Sequence, residues 1–397
     1  MSLPRLLYLG FAFPPGFQEQ FPDVNPAGHA FETQMIGELR RHFEIKSAGT
    51  LPFTVGVADQ SPNPSAGVNH DLLLVEKPPE ILHRWRSSGA LRRWYQAERA
   101  AGWQPAAVFV YNLSPIYNQF IRWLRGQPDR PRLVLLLADS ATLGRAIPRG
   151  KCFRQRFKPM VIPDAEALAL FDACVALSRE TEPFFAATKT PWLWMPGGCV
   201  PEQVPGVPGP RPDGPVTFGY FGSLASHAGV RQLIEVFLAT PLPNTLHVCG
   251  YGKQSGAIAA LSREHPRLRF HGLLPTPADC LKWAQSVDVL VNPRPAGVGN
   301  ENNFPSKLFQ YALSGRAILS TRLSGIDTVL GAEAFYFDAT EFNRSLRQQL
   351  EQIAVLLPAE LTRRGQAIRQ RVVTEYSWER QMRRTADFIQ SLPTRAA

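Results

Sequence analysis

The chain alternates short apolar runs with segments whose apolar residues recur three and four positions apart, the signature of strands exchanged for amphipathic helices. In the first half this pattern predicts strands over Leu6–Gly10, Ala107–Val110, Leu133–Leu137, Ala173–Leu177 and Trp192–Met195. Helices are expected between them over about Ala30–Arg41, Tyr117–Leu124 and Asp164–Phe171. The pattern restarts with strands over Val216–Tyr220, Leu246–Cys249, Arg267–Phe270, Val287–Val291, Ala317–Ser320 and Phe335–Phe337. Its helices are predicted over Val230–Leu238, Ala278–Gln285 and from Pro305 onward, and an amphipathic helix over about Trp378–Leu392 closes the chain behind the candidate cap Ser377. Uninterrupted apolar strands belong to parallel sheets covered on both faces.

Between the two series lies PEQVPGVPGPRPDGP, Pro201–Pro215, which can sustain neither helix nor central strand. The expected organisation is therefore an α/β protein of two doubly wound, Rossmann-like domains facing across a cleft. Their bounds are 1–200 and 216–375, joined by a Pro/Gly-rich linker over 201–215 and followed by a C-terminal helix over 376–397.

Composition narrows the class. The 397 residues are 44% hydrophobic and 19% charged, the balance of a folded globular chain. Apolar runs fall short of the roughly 20 residues of a membrane-spanning helix, and Met1–Gly10 is too short and strand-like for a secretion signal, so the expected compartment is the cytoplasm. The five cysteines are far apart and form no C-x-x-C, which points to small core residues instead of a zinc site or disulfide framework. The net charge of +10 is uneven: between Leu82 and Met160 the acidic residues are Glu98, Asp129 and Asp139 alone, amid recurring Arg and Lys. Trp85, Trp94, Tyr95, Trp103, Trp123, Phe153 and Phe157 are interleaved with that charge. Such a segment suits an anionic membrane surface or lipid-linked acceptor, or simply solvated helix faces. No nucleic-acid reader motif accompanies it, so no nucleic-acid partner is expected.

The densest chemistry runs from Asp288 to Ser320. Arg294 follows the strand Val289–Val291, at the carboxyl end where open α/β sheets place ligands. Asn303 is a candidate cap, Pro305 suits a first helical turn, and Leu308, Phe309, Ala312 and Leu313 mark one apolar face. A helix start beside Arg294 and Lys307 is an anion site that fits a diphosphate. Gly219–Leu224 leaves a strand through glycine, as do Gly250 and Gly252, where bare backbone can approach a phosphate; Lys253 lacks P-loop spacing. His271 stands at another strand end, able to contact a base or to serve structure. Asp139 follows Leu133–Leu137 and is expected to face an acceptor hydroxyl or to cap a helix. Gly28 and His29 are expected to sit in a long Pro/Gly-rich loop, Phe11 to Ala27, that follows the first strand and suits a binding loop. There is no D-x-D, helical His pair or G-x-S-x-G, so no metal is expected to hold the diphosphate.

These residues resemble a family. Gly219–Leu224, Leu246–Gly252, Arg267–Gly272, Asp288–Pro293, Phe304–Gly315 with Ala317–Ser320, and Tyr376–Glu379 look like the donor half of a GT-B glycosyltransferase of the family 4 type, the glycosyl transferases group 1. In the first half Pro26–Met35, Ala176–Ser178 and Met195–Gly198 resemble that family's glycine loop, strand-serine and Pro-Asn-Gly turn. The resemblance implies transfer of a sugar, usually with retention, from a nucleotide diphosphate donor to a hydroxyl of a lipid-linked or polysaccharide acceptor, as in bacterial polysaccharide biosynthesis. It also implies a closing helix that crosses back to the first domain, and placement in the cytoplasm or on the inner face of the membrane.

By position, Asp139, Arg294 and Lys307 would be catalytic. Gly222, Ser223, Gly250, Gly252, His271, Asn302, Asn303, Phe304, Pro305, Ser306 and Gln310 would line the donor, and Gly28 and His29 the acceptor side. No cofactor beyond the donor substrate is implied. The family's two glutamates, eight positions apart, fall on Asn302 and Gln310, with Glu301 one residue off, and its basic pair falls on Ser223 and Ala228. These departures leave room for a catalytically inactive sugar-nucleotide or polysaccharide-binding relative, or for a nucleotide-sugar epimerase of the same architecture.

Overall fold

The computed structural model describes residues 2–14, 26–51, 68–75, 80–138, 165–201, 206, 208–211, 214–274, 276–297 and 299–393. They divide into two compact units, Met1–Pro196 with Trp378–Ala397, and Gly197–Ser377. Asp139, Phe153 and Phe157 lie outside the described residues.

The first unit is built on seven strands, β1 (Arg5–Gly10), β2 (Glu44–Leu51), β3 (Leu72–Val75), β4 (Ala107–Tyr111), β5 (Arg132–Leu137), β6 (Ala173–Ala176) and β7 (Trp192–Trp194). They pair in parallel in the order β3-β2-β1-β4-β5-β6-β7. β4 is buried at every residue, as an apolar strand sandwiched between helices must be. β2 carries no apolar run; its Ser47, Ala48 and Thr50 are buried, and Thr50 Oγ1 donates to the Tyr117 hydroxyl at 2.8 Å. That hydroxyl donates in turn to the Gly10 carbonyl at 2.6 Å, tying β1 to the helix Pro115–Arg125. The closing helix Trp378–Ser391 packs against the helix Pro26–Leu39, with Trp378 edge-on to Phe31 at 4.9 Å.

The aromatic residues of the basic segment are not surface anchors where their side chains are described. Tyr95 and Trp103 are buried in the first core, and Trp94 and Trp123 pack against it. The rings of Trp94, Tyr95 and Trp123 follow the inward faces of the helices Glu80–Ala100 and Pro115–Arg125, so among the described residues the membrane reading of this segment rests on its arginines.

The second unit has six strands, β8 (Thr217–Ser223), β9 (Thr245–Tyr251), β10 (Leu268–Phe270), β11 (Val289–Asn292), β12 (Ala317–Ser320) and β13 (Phe335–Tyr336). They are parallel, in the order β10-β9-β8-β11-β12-β13. The described part of the Pro/Gly-rich stretch is not a free linker but packs on this unit. Arg211 Nη1 donates to Thr217 Oγ1 at 2.8 Å, and Arg316 Nη1 donates to the Gly209 carbonyl at 3.1 Å. Two arginines thus tie the stretch to the second unit, Arg211 by donating from it and Arg316 by donating into it.

Candidate active site

In the second sheet the strand order reverses direction between β8 and β11, and a doubly wound sheet opens its ligand crevice at the carboxyl ends of such a pair. The two strands separate there. β11 follows β8 only along Phe218 and Gly219, whereas β9 stays with β8 as far as Ser223.

β8 delivers Gly222 with φ at 139°, and β9 delivers Gly250 with φ at 151°. A Cβ on Gly222 would stand 3.3 Å from Lys307 Cδ, and one on Gly250 would meet the Gly222 carbonyl oxygen at 2.0 Å. Both positions need glycine for conformation, and Gly250 needs it for space as well. Ser223 is exposed, and its hydroxyl accepts from the Ala225 N–H at 3.3 Å. Gly252 is likewise in the glycine-only region with φ at 144°.

Lys307 is half-buried, and its Nζ lies 4.1 Å from the centroid of the Tyr220 ring and 5.6 Å from that of Tyr311, a cation–π seat. Among the described residues no carboxylate or hydrogen-bond acceptor pairs with this ammonium. Burial holds its pKa well below the ordinary lysine value, and the charge of Arg294 acts in the same direction. Tyr220 is fully buried and donates to the Ser223 carbonyl at 2.6 Å; burial raises its phenol pKa.

Arg294 is 7% exposed and fixed by its own loop. Its Nε donates to Asn300 Oδ1 at 2.8 Å, its Nη2 to Asn303 Oδ1 at 2.5 Å and its Nη1 to the Asn303 carbonyl at 3.4 Å. Asn303 is therefore not a helix cap. The helix runs Lys307–Leu313, two residues later than predicted, with Ser306 at the N-cap position. Its first turn is tightened by the Leu308 N–H to Pro305 carbonyl bond at 3.0 Å and the Phe309 N–H to Ser306 carbonyl bond at 3.1 Å. The apolar face, Leu308, Phe309, Ala312 and Leu313, is buried as expected, as are Phe304 and Pro305. Gln310 is half-buried, and its side chain makes no hydrogen bond among the described residues. Asn302 is half-buried beside Glu301, whose carboxylate accepts from the Gly297 N–H and so is engaged in folding the loop.

His271 serves a different partner. Its Nε2 is 3.1 Å from His247 Nδ1, and the two rings stack at 5.2 Å, with Trp283 edge-on to His271 at 6.0 Å. Burial lowers the pKa of His247 to about 4, with His271 and then Arg211 and Arg269 adding to the shift. In the first unit Gly28 and His29 belong to the helix Pro26–Leu39, not to the preceding loop. His29 is buried, and its Nδ1 accepts from the Phe13 N–H at 3.0 Å, a positioning contact at the end of β1. Glu32 in the same helix accepts from the Tyr8 hydroxyl at 2.5 Å and the Phe11 N–H at 2.9 Å. Among the described residues no three His, Cys, Asp or Glu side chains gather as metal ligands, and no helix is long and apolar enough to cross a membrane.

The structure thus brings Gly222, Gly250, Arg294, Asn303 and Lys307 into one second-unit crevice. Sequence reasoning missed Tyr220, Asn300, Tyr311 and His227 there. The Asn-rich run Asn300–Asn303 after a glycine loop was the available signal for Asn300.

Residues 215–354 match the family model described as Glycosyl transferases group 1. The second unit carries a glycosyl transferases group 1 domain. No curated protein matches the chain in sequence. Among solved structures the chain is similar to a sucrose-phosphate synthase from Thermosynechococcus elongatus, at 14% identity and a TM-score of 0.67 over 98% of this chain and 99% of that one. It is similar to the apo form of the lipopolysaccharide outer core galactosyltransferase WaaB, at 14% identity and a TM-score of 0.66 over 98% and 99%. It is also similar to Anabaena HepE in complex with UDP and glucose, at 11% identity and a TM-score of 0.63 over 98% and 100%. At these identities the likeness carries the fold, which is GT-B. Within the group 1 domain, Arg294 and Lys307 flank the switch point of the sheet.

Proposed function

We propose that the chain transfers a glycosyl group from a nucleotide diphosphate sugar to a hydroxyl of an acceptor. The observation that carries this reading is the Lys307 ammonium, unpaired among the described residues, beside Arg294 at the switch point of a group 1 domain. In the step, the bond from the sugar's anomeric carbon to the β-phosphate oxygen breaks and its electron pair leaves with the phosphate. The acceptor oxygen bonds to that carbon, and the hydroxyl proton departs toward Asp139. Arg294 and Lys307 stabilise the charge that gathers on the departing diphosphate, in the role a divalent ion would otherwise fill. Gly222, Ser223, Gly250 and Gly252 give it close backbone approach, and Gln310 meets the ribose diol.

HepE, solved with UDP and glucose, supports a nucleotide-sugar donor. The lipopolysaccharide substrate in the name of WaaB supports a lipid-linked or polysaccharide acceptor. The acceptor belongs on the first unit, near Asp139, Gly28 and His29, and the arginines of the segment Leu82–Met160 favour an acceptor presented at the anionic inner face of a bacterial membrane. Retention is proposed on the resemblance to family 4. His271, held by His247, is assigned to structure here, not to the donor.

One observation favours a second reading, a binding protein without turnover. Asn302 and Gln310 stand where the family has glutamates, and the neighbouring Glu301 carboxylate is occupied by the Gly297 N–H. A panel of UDP-, GDP- and dTDP-sugars, followed by thermal shift and by nucleotide release with and without a membrane lipid extract, separates the two. Release that depends on the extract supports the transferase. Stabilisation with no release for any acceptor supports the binding protein. No stabilisation by any donor removes both.

A further inference from the structure

We propose that His227 is a third binding group for the donor diphosphate, one that takes up a proton as the anion arrives. The inference rests on the donor-site reading above and adds a residue that the charge pattern of the sequence did not mark. His227 sits in the short 3-10 turn Ser226–Ala228, which follows directly on the glycine end of β8. Two clamps hold this turn to the segment that carries Arg294. Asn300 is 2% exposed and bridges them, donating from Nδ2 to the His227 carbonyl at 2.9 Å while its Oδ1 accepts from Arg294 Nε. Gly229 ends the turn with φ at 74°, packed so closely that a Cβ there would lie 1.8 Å from the Pro293 carbonyl oxygen.

The turn itself is anchored, with Ala228, Gly229 and Val230 buried, yet the His227 side chain is exposed. A side chain left in solvent by so fixed a backbone is free to meet a ligand in the crevice. Partial burial, and then the positive charges of Arg294 and Lys307, lower the imidazole pKa below the ordinary histidine value. Among the described residues neither His227 nor Lys307 has a carboxylate partner. In the free protein the imidazole is therefore neutral near pH 7, since protonation would add a third positive charge to the cluster. A diphosphate reverses the local sign of the field, raises the imidazole pKa and gains a charge-assisted hydrogen bond from it.

The test is calorimetry of UDP, GDP and dTDP on the full chain at pH 6 and pH 8, in two buffers of different ionisation enthalpy so that proton uptake is read directly. The wild type is expected to bind its nucleotide about ten-fold more tightly at pH 6 than at pH 8, the gain of one charge-assisted contact. His227→Gln should lose that gain and the matching proton uptake while melting at the wild-type temperature, because the side chain is exposed. His227→Arg carries a fixed charge and should bind at pH 8 nearly as the wild type binds at pH 6. If the wild type binds and His227→Gln reproduces its affinities and proton uptake at both pH values, His227 is not part of the site while the donor reading stands. If the wild type binds no nucleotide diphosphate at either pH, the donor reading falls and this inference with it.

Discussion

The Tyr311 hydroxyl closes on both backbone groups of Phe221, accepting from its N–H at 3.1 Å and donating to its carbonyl at 2.9 Å. A parallel ladder would satisfy these groups with a neighbouring strand, but β11 has already left β8 beyond Gly219. One buried phenol thus replaces a strand partner at the point where the sheet parts, and the parting is what makes room for the Lys307 side chain over Tyr220.

Tyr311→Phe keeps the ring and its packing on Phe221 but removes both hydrogen bonds. Leaving buried backbone groups unpaired costs about 1–3 kcal/mol each, so the variant should lose roughly 2 kcal/mol or more in urea unfolding. A loss within experimental error of zero would mean that water or strand movement satisfies Phe221 instead.

Lys307→Met separates stability from binding. Its aliphatic chain still covers Tyr220, and the desolvated charge is gone, so the ligand-free variant should melt no lower than the wild type. Nucleotide diphosphate affinity should fall about ten- to a hundred-fold, the range for a charged hydrogen bond. The sign of the pH effect follows from the lowered lysine pKa. Between that value and the ordinary one near 10.4 the unfolded chain binds the proton and the folded chain does not, so wild-type stability rises with pH relative to the variant. A variant that melts lower and still binds nucleotide fully would show that Lys307 has a packing role alone.

How far the sequence foretold this can be seen residue by residue. β5, β11 and β12 were legible because buried parallel strands are uninterrupted apolar runs. β2 was not, because Ser47, Ala48, Gly49 and Thr50 fill tight space with small or polar side chains that bond across to other elements, as Thr50 does to Tyr117. The helix Glu80–Ala100 was hidden by arginines along most of its faces. In the site, Arg294 and Lys307 were legible as charges at a strand end. Asn303 was misassigned as a cap because its local sequence fits one, but a buried guanidinium claimed its oxygens. His271 was read toward the donor, and only the folded sheet sets it against His247, 24 positions away.

That histidine pair predicts acid sensitivity in the second unit. The folded pKa of His247 is lowered to about 4, chiefly by burial. Between about 6.5 and about 4 the unfolded chain binds a proton that the folded chain excludes, so stability falls on acidification through that window. His247→Gln should flatten the slope of urea midpoint against pH from 6.5 down to 4. An unchanged slope would place the titrating group elsewhere.

Glu32 predicts the opposite slope in the first unit. Burial raises its carboxyl pKa to about 7, against the lowering effect of the hydrogen bonds from Tyr8 and Phe11. Below about 4.5 the folded and unfolded chains both bind this proton; between 4.5 and about 7 only the folded chain keeps it. Its stabilising contribution is therefore complete at low pH and is lost as pH rises through about 7. At about 1.4 kcal/mol per pKa unit the difference between 4.5 and about 7 is worth up to roughly 3 kcal/mol. Glu32→Gln keeps an oxygen to accept from Tyr8 and Phe11 but cannot ionise. The variant should match the wild type near pH 5 and exceed it by pH 8, with the curves separating over pH 5–7. Because His247 and Glu32 act in opposite directions over overlapping windows, the wild type can have a shallow pH profile that hides both groups, and each single variant should unmask the other. Parallel curves for Glu32→Gln and wild type across pH 5–8 would show that Glu32 is ionised in the folded protein at ordinary pH and that its buried contacts, not a retained proton, hold the end of β1.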